Sequence, residues 1–172
     1  MNNERIFVTS DHHFFHNNII KYCNRPFVSV QKMHEFMIDE WNSVVQKDSI
    51  VIHLGDFICG GSLEEVKEIT DRLNGYKILI QGNHDRRGIS WFKEVGFDRV
   101  FKRRWNLGQY CFSHDFQRPE YLAYNKISYN LHGHSHKHDY GHPWYNFCVD
   151  VVGYKPKKVK TNLKRSDFLE NN

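Results

Sequence analysis

Seven side chains able to hold or orient a metal ion, Asp11, His13, Asp56, Asn83, His114, His134 and His136, each follow an apolar or strand-like run. Carboxylate, carboxamide and imidazole together form a mixed oxygen and nitrogen donor set. That set suits Mn²⁺, Fe or Zn²⁺ better than Mg²⁺, which prefers oxygen ligands and retained water. No cysteine falls among these residues, so a thiolate-selective site is not indicated. Two cations held about 3.5–4 Å apart need a shared anionic ligand, which an aspartate can be and a neutral imidazole cannot.

The spacing around these residues is informative. Asp11-His12-His13 leaves a strand, and Gly82-Asn83-His84-Asp85 holds three polar side chains behind a glycine that permits a tight exit. Gly133-His134-Ser135-His136 sets two imidazoles one residue apart. Histidine is abundant overall: twelve residues, five of them between His132 and His142. For any single histidine a core or surface role is the ordinary reading; their joint occurrence at strand ends favours one converging site.

The elements that must position them follow from hydrophobic pattern. Ile6–Thr9, Ile50–Leu54 and Tyr76–Ile80 read as strands ending in Ser10-Asp11, Gly55-Asp56 and Gln81-Gly82-Asn83. Between them, apolar residues at three- and four-residue spacing from Val30 to Val45 predict a helix capped by Ser29. A second helix, about Ser62 to Leu73, opens with a Ser62/Glu65 capping box. This β-α-β-α-β order predicts a parallel sheet whose carboxyl edge gathers the polar residues, in an α/β fold. Further on, a short helix at Ser90–Val95, a hairpin around Asn106, strands approaching His114 and His132, and a late strand over Tyr145–Val152 are expected. Lys155–Lys160 carries four lysines, read as an exposed basic edge or a phosphate-contact patch.

In this order the motifs resemble those of the calcineurin-like metallophosphoesterase superfamily, over Ile6 to about Val152. The resemblance implies a sandwich of two mixed β-sheets flanked by helices, as a single domain over residues 1–172. It implies a first metal on Asp11, His13, Asp56 and His136, and a second on Asp56, Asn83, His114 and His134, with Asp56 bridging. The cofactors would be two divalent or transition-metal ions, Mn²⁺ foremost, with Fe, Zn²⁺ and Ni²⁺ as alternatives. The implied activity is phosphoester hydrolysis by a water that both metals activate, on a phosphodiester or nucleotide-like substrate. A phosphomonoesterase and a metal-stabilised protein-binding module without turnover are the competing readings.

His84, outside the implied ligand set, would protonate the leaving oxygen or stabilise the phosphoryl group. Asp85 either orients His84 or holds the loop through backbone bonds. The finer pattern around His13-Phe14-Phe15-His16, followed by Arg25-Pro26-Phe27, resembles a small bacterial and phage-type subgroup. There His16, Arg86 and Arg87 are candidate substrate contacts, with solvent exposure or surface ion pairs as the ordinary alternatives. The bulky approach Tyr110-Cys111-Phe112-Ser113 to His114 departs from many members and would narrow the pocket. His12 is expected to point away from Asp11 and His13. Trp91, Trp105 and Tyr140 either wall a base-stacking surface or pack, and one of His132, His138 and His142 could support a ligand.

The 172 residues, 40% hydrophobic, suffice for one domain, and the net charge of +4 favours anionic ligands without defining a nucleic-acid-binding protein. A phosphorylated small molecule, a nucleotide or a nucleic-acid end is the expected partner. Four scattered cysteines read as reduced thiols of a cytoplasmic protein, and the amino-terminal sequence shows no secretion signal. No apolar run approaches the length of a membrane span.

Overall fold

The structure, a computed structural model, describes residues 5–169. The first four residues, part of the amino-terminal stretch read for a secretion signal, lie outside it, as do the last three residues of the 1–172 domain assignment. In chain order the elements are β1 (Ile6–Thr9), α1 (Ile19–Tyr22), α2 (Val30–Val44), β2 (Ile50–His53), α3 (Leu63–Arg72), β3 (Tyr76–Ile80), α4 (Ile89–Glu94), β4 (Arg99–Phe101), β5 (Arg104–Leu107), β6 (Tyr110–Ser113), α5 (Pro119–Tyr124), β7 (Tyr129–His132), β8 (Trp144–Asn146), α6 (Val149–Val152), β9 (Lys157–Lys158) and α7 (Arg165–Leu169).

Two mixed sheets result. The first has the order β4-β3-β2-β1-β9, with β1 to β4 parallel and β9 antiparallel at the edge. The second has the order β5-β6-β7-β8, antiparallel only between β5 and β6. Residues of one parity seal the sheets together: Ile6, Val8, Ile52 and Ile78 pack in one cluster with Tyr110, Phe112 and Leu131. Residues of the other parity, including Phe7, Val51 and Leu79, meet Met33, Met37 and Trp41 of α2 and Val66 and Ile69 of α3. Strands covered on both faces explain the continuous apolar runs in the sequence.

Local signals act as expected in the first half. Ser29 Oγ accepts from the amide of Lys32, and Ser62 and Glu65 form the full capping box. Later elements depart from expectation. The hairpin turns at Gly108-Gln109, with Gly108 at φ 57°, while Asn106 lies inside β5 opposite Cys111. Val100 belongs to the other sheet, pairing with Leu79.

The late strand stops at Asn146, whose carboxamide accepts from the amide of Cys148; the chain then coils into α6 and ends it at Gly153, φ 84°. Within the lysine-rich segment, exposed Lys157 and Lys158 form the edge strand β9, and Lys155 pairs with Glu40 at 3.0 Å. Charge on such an edge discourages further strand pairing. Tyr110 and Phe112 point between the sheets, so the bulky approach to His114 fills core and not pocket. Trp105 also packs, stacked on Phe101 with centroids 4.7 Å apart.

Candidate metal centre

The parallel strands all end on one side, and their following residues meet there. At this edge each sheet is closed by a bond of its own, the Asp11 amide donating to Gly55 O at 2.9 Å in the first and the Gly133 amide to His114 O at 2.9 Å in the second, and the His134 amide on the Asp11 carboxylate ties the two together. Four of the expected ligands, Asp11, His13, Asp56 and His134, hold positive φ between 53° and 65°. Non-glycine residues seldom adopt that left-handed conformation, and strain of this kind clusters at functional sites. Here it turns each side chain inward from a strand end.

Glycine permits the close approach. A Cβ on Gly82 would collide with Asp56, and one on Gly133 with Ser10 and Asp11. Their absence lets Asp56 pack against the Gly82 backbone and Asp11 accept the amide of His134 with both carboxylate oxygens, at 2.9 and 3.1 Å.

The side chains form two overlapping clusters. Donor atoms of Asp11, His13 and His136 lie within 4.8 Å of one another, as do those of Asp56, His114 and His134. Asp56 Oδ2 stands 3.5 Å from His13 Nε2 and 3.5 Å from His114 Nε2. Asn83 Oδ1 completes the second cluster, 2.9 Å from His114 Nε2.

Two observations show that this donor set fits cations. His114 Nδ1 donates to Leu54 O at 2.9 Å, so a neutral ring presents an unprotonated Nε2 to Asn83 Oδ1 and Asp56 Oδ2. Lone pairs meet there unless a proton or a metal lies between them. Both ring nitrogens of His13 are buried without a hydrogen-bond partner, an arrangement that buried polar atoms otherwise avoid.

The electrostatics express the same demand. Burial lowers the basicity of His114, but the hydrogen bond to Asp56 and the charges of Asp11 and Asp56 overcome it and raise the pKa to about 9. Burial also opposes ionisation of Asp56, yet His114 and His13 bring its pKa down to about 2. His13, dominated by burial, is lowered to about 2 and stays a neutral donor. Burial raises Asp11 in spite of neighbouring His114 and His136.

His84 occupies the open side. Its amide donates to Asp56 Oδ1 at 2.8 Å, its ring lies 5.0 Å from that of His13, and Cys59 Sγ is 3.5 Å from its Nδ1. A ring nitrogen of His84 also clusters with donor atoms of His13 and Asp56. Asp85 does not touch the His84 side chain. Its carboxylate accepts from the amides of Phe57, Ile58 and Gly82 at 3.0, 3.2 and 2.9 Å, bonds that join the two loops through their backbones. Burial raises its pKa to about 7 against those amide donors.

His16 is half-buried, with its ring 5.4 Å from His13 and 5.8 Å from His84. Arg86 and Arg87 are exposed and line a cleft beside His84, with Arg87 over Trp91 at 5.5 Å. His12 does point away: buried against Phe14 and Trp41, its Nδ1 meets His53 Nε2 at 2.9 Å. His132 is buried and donates to Gly133 O, while His138 and His142 are exposed.

Arg25 and Asp150 were not singled out for a role by the sequence. Buried Arg25 holds Asp150 through two bonds of 2.8 and 2.7 Å and also donates to the carbonyls of Asp11 and His12. Asp150 Oδ2 accepts from His136 Nδ1 at 2.6 Å. The Arg25-Pro26-Phe27 motif was a signal for Arg25; nothing in the sequence marked Asp150, 125 residues away.

Comparisons with known proteins bear on the family and the fold. The sequence profile of the calcineurin-like phosphoesterase family matches residues 4–117. Uncharacterized protein MJ1445 of Methanocaldococcus jannaschii is 34% identical over 173 residues, covering 95% of this chain and 92% of that one. Among solved structures, the protein of unknown function AQ665 from Aquifex aeolicus superposes with a TM-score of 0.73 at 24% identity, over 90% of this chain and 95% of its own. Pseudomonas putida nuclease MPE gives 0.54 at 22% identity, over 77% of this chain and 62% of its own. At these identities the two structures speak for the fold alone. The profile reaches through His114, the archaeal relative spans nearly the whole chain, and the strand ends deliver a donor set shaped for cations; the chain belongs to the calcineurin-like phosphoesterase family and is a metal-dependent phosphoric ester hydrolase.

Proposed function

We propose that the chain is a two-metal phosphodiesterase acting on a nucleotide-like diester. The observation carrying this reading is Asp56 Oδ2, equidistant at 3.5 Å from His13 Nε2 and His114 Nε2. One carboxylate oxygen between two imidazoles is the arrangement two cations need. Asp11, His13, Asp56 and His136 would hold one ion; Asp56, Asn83, His114 and His134 would hold the other. Mn²⁺ suits the mixed donors, with Fe, Zn²⁺ and Ni²⁺ as alternatives. When bound, the two ions supply Lewis acidity toward water and toward the phosphoryl oxygens.

The protein's own groups do the rest. Asp85 pins the Gly82-to-Asp85 turn to the Asp56 loop, fixing the amide of His84 on Asp56. That leaves the His84 ring facing the cleft it shares with Arg86 and Arg87. As an imidazolium it gives its proton to the leaving ester oxygen as the bond to phosphorus breaks, so no free alkoxide is released. Arg86, in the same cleft, would meet a nonbridging oxygen. His16 flanks His13 and His84 and contacts the same substrate edge.

Exposed Asn83 and His134 leave the centre open on two sides. This supports a diester, which needs room for a second esterified group, over a monoester enclosed on all sides. Four free thiols support a reducing, cytoplasmic setting; no helix among the described residues is long and apolar enough to cross a membrane.

The test is hydrolysis of bis-p-nitrophenyl phosphate and p-nitrophenyl phosphate by manganese-reconstituted protein. Faster turnover of the diester is expected. Turnover of the monoester alone would make the chain a phosphomonoesterase, and two bound metals with no turnover of either would make it a binding module.

A further inference from the structure

Three clefts open at the metal centre, and they differ in chemistry. One, of about 380 Å³, runs from His84 past Arg86 and Arg87. A second, of about 420 Å³, runs from Asn83 and His114 past Lys102, Arg103 and Arg104. Its one lining carboxylate, Asp115, faces His134 at 3.5 Å. Lys102, Arg103 and Arg104 are all exposed, and Arg104 is braced over Tyr121 at 4.3 Å and bonded to Gln117.

The third cleft, of about 550 Å³, starts from the other two histidines, His134 and His136, and is walled by Tyr22, Phe116 and Tyr140. Those rings are 68%, 47% and 48% exposed, and they make up half of the six large exposed aromatics among the described residues. Phe116 and Tyr140 lie 5.2 Å apart with planes inclined by 36°. Aromatic rings of this size ordinarily bury themselves, so three left open in one cleft against the metal ligands are available to a flat ligand.

A phosphorylated small molecule would use one of these clefts. Two cationic clefts and an open aromatic one, each starting from residues of the same centre, match a ligand with several phosphates and planar rings beside them. We propose that the substrate is a single-stranded oligonucleotide. Its scissile diester lies at the metal centre, the phosphates on one side run over Lys102 and Arg103, and a base on the other side stacks against Phe116 and Tyr140. A duplex keeps its bases stacked inside and cannot offer them to this wall. Stacking of this kind tolerates any base, because each has a π-face. The proposal rests on the phosphodiesterase reading and adds the class of diester.

Fluorescence anisotropy of a labelled phosphorothioate hexathymidylate with the manganese-loaded protein tests it without turnover. Phe116→Ala and Tyr140→Ala should each weaken binding about tenfold or more, the range of one lost stacked base. Phe116→Leu, which keeps the apolar bulk without the ring, should weaken it similarly. Lys102→Gln should weaken binding and reduce the salt slope by about 0.7, as for one lost phosphate contact on a single strand. A duplex of equal length should bind more weakly. Equal affinity for duplex and single strand, or aromatic variants that bind as wild type, would overturn the proposal. Failure of the wild type to hydrolyse bis-p-nitrophenyl phosphate would instead overturn the phosphodiesterase reading, and the binding result would stand apart from it.

Discussion

His136 is oriented by Asp150: its Nδ1 donates to Asp150 Oδ2 at 2.6 Å, leaving Nε2 toward Asp11. Asp150 is itself fixed by Arg25, and although burial disfavours its charge, the bonds from His136 and Arg25 lower its pKa to about 2. Carboxylates behind metal-binding imidazoles set the tautomer and typically alter affinity 10- to 100-fold. Asp150→Asn should therefore weaken binding of the ion proposed for Asp11, His13, Asp56 and His136 by about that factor while sparing the second proposed ion. Calorimetric titration that showed two unchanged sites would refute the role.

The hydrogen bond from His84 to Asp56 comes from its backbone amide, which a substitution retains. His84→Gln should keep two metals per chain and lose turnover by about 10²–10⁴-fold, most with a poor leaving group. Metal analysis beside a leaving-group series checks this. Loss of metal comparable to that of an Asp56 variant would place His84 among the ligands.

Gly55 holds φ 99°, and a Cβ there would come within 2.6 Å of Gly82 N and 2.7 Å of His114 Nδ1. Backbone and the buried His114 ring block it, so neither can yield cheaply. Gly55→Ala should destabilise the protein by about 3 kcal/mol or more, read as a fall in the urea midpoint. A midpoint unchanged from wild type would contradict the interlock.

His34 accepts the amide of Phe15 with its Nε2 at 2.9 Å. Burial lowers its pKa to about 4, against the opposing charge of Glu35. The unfolded chain, with a histidine pKa near 6.5, binds the proton first, so this stabilisation is complete above that pH and is lost as pH falls toward 4. About 2 kcal/mol should disappear between pH 7 and 5 through this group. Urea unfolding of His34→Gln across that range should lose less stability than wild type by that amount; parallel curves would contradict the assignment.

The first half of the fold was legible because its strands are buried on both faces and its helices carry their caps in sequence, at Ser29 and at Ser62 with Glu65. The expected donors were legible by residue type, since a strand end with His or Asp behind a glycine has few other uses. Less legible was anything decided by tertiary contact. Asp85 met three backbone amides from two segments, and Asp150 met Arg25 across 125 residues. The break after Asn146 depends on its side chain bonding the Cys148 amide and the carbonyls of Ser135 and His138. Period-two hydrophobicity cannot report such bonds.

The central claim is that Asp56 serves two cations. Metal content and bis-p-nitrophenyl phosphate turnover of Asp56→Asn, measured on one manganese-reconstituted preparation, test it most directly. The expected result is two metals per chain in wild type, loss of that paired occupancy in the variant, and a fall in turnover of about 10³-fold or more. Two metals per chain with wild-type turnover would contradict it.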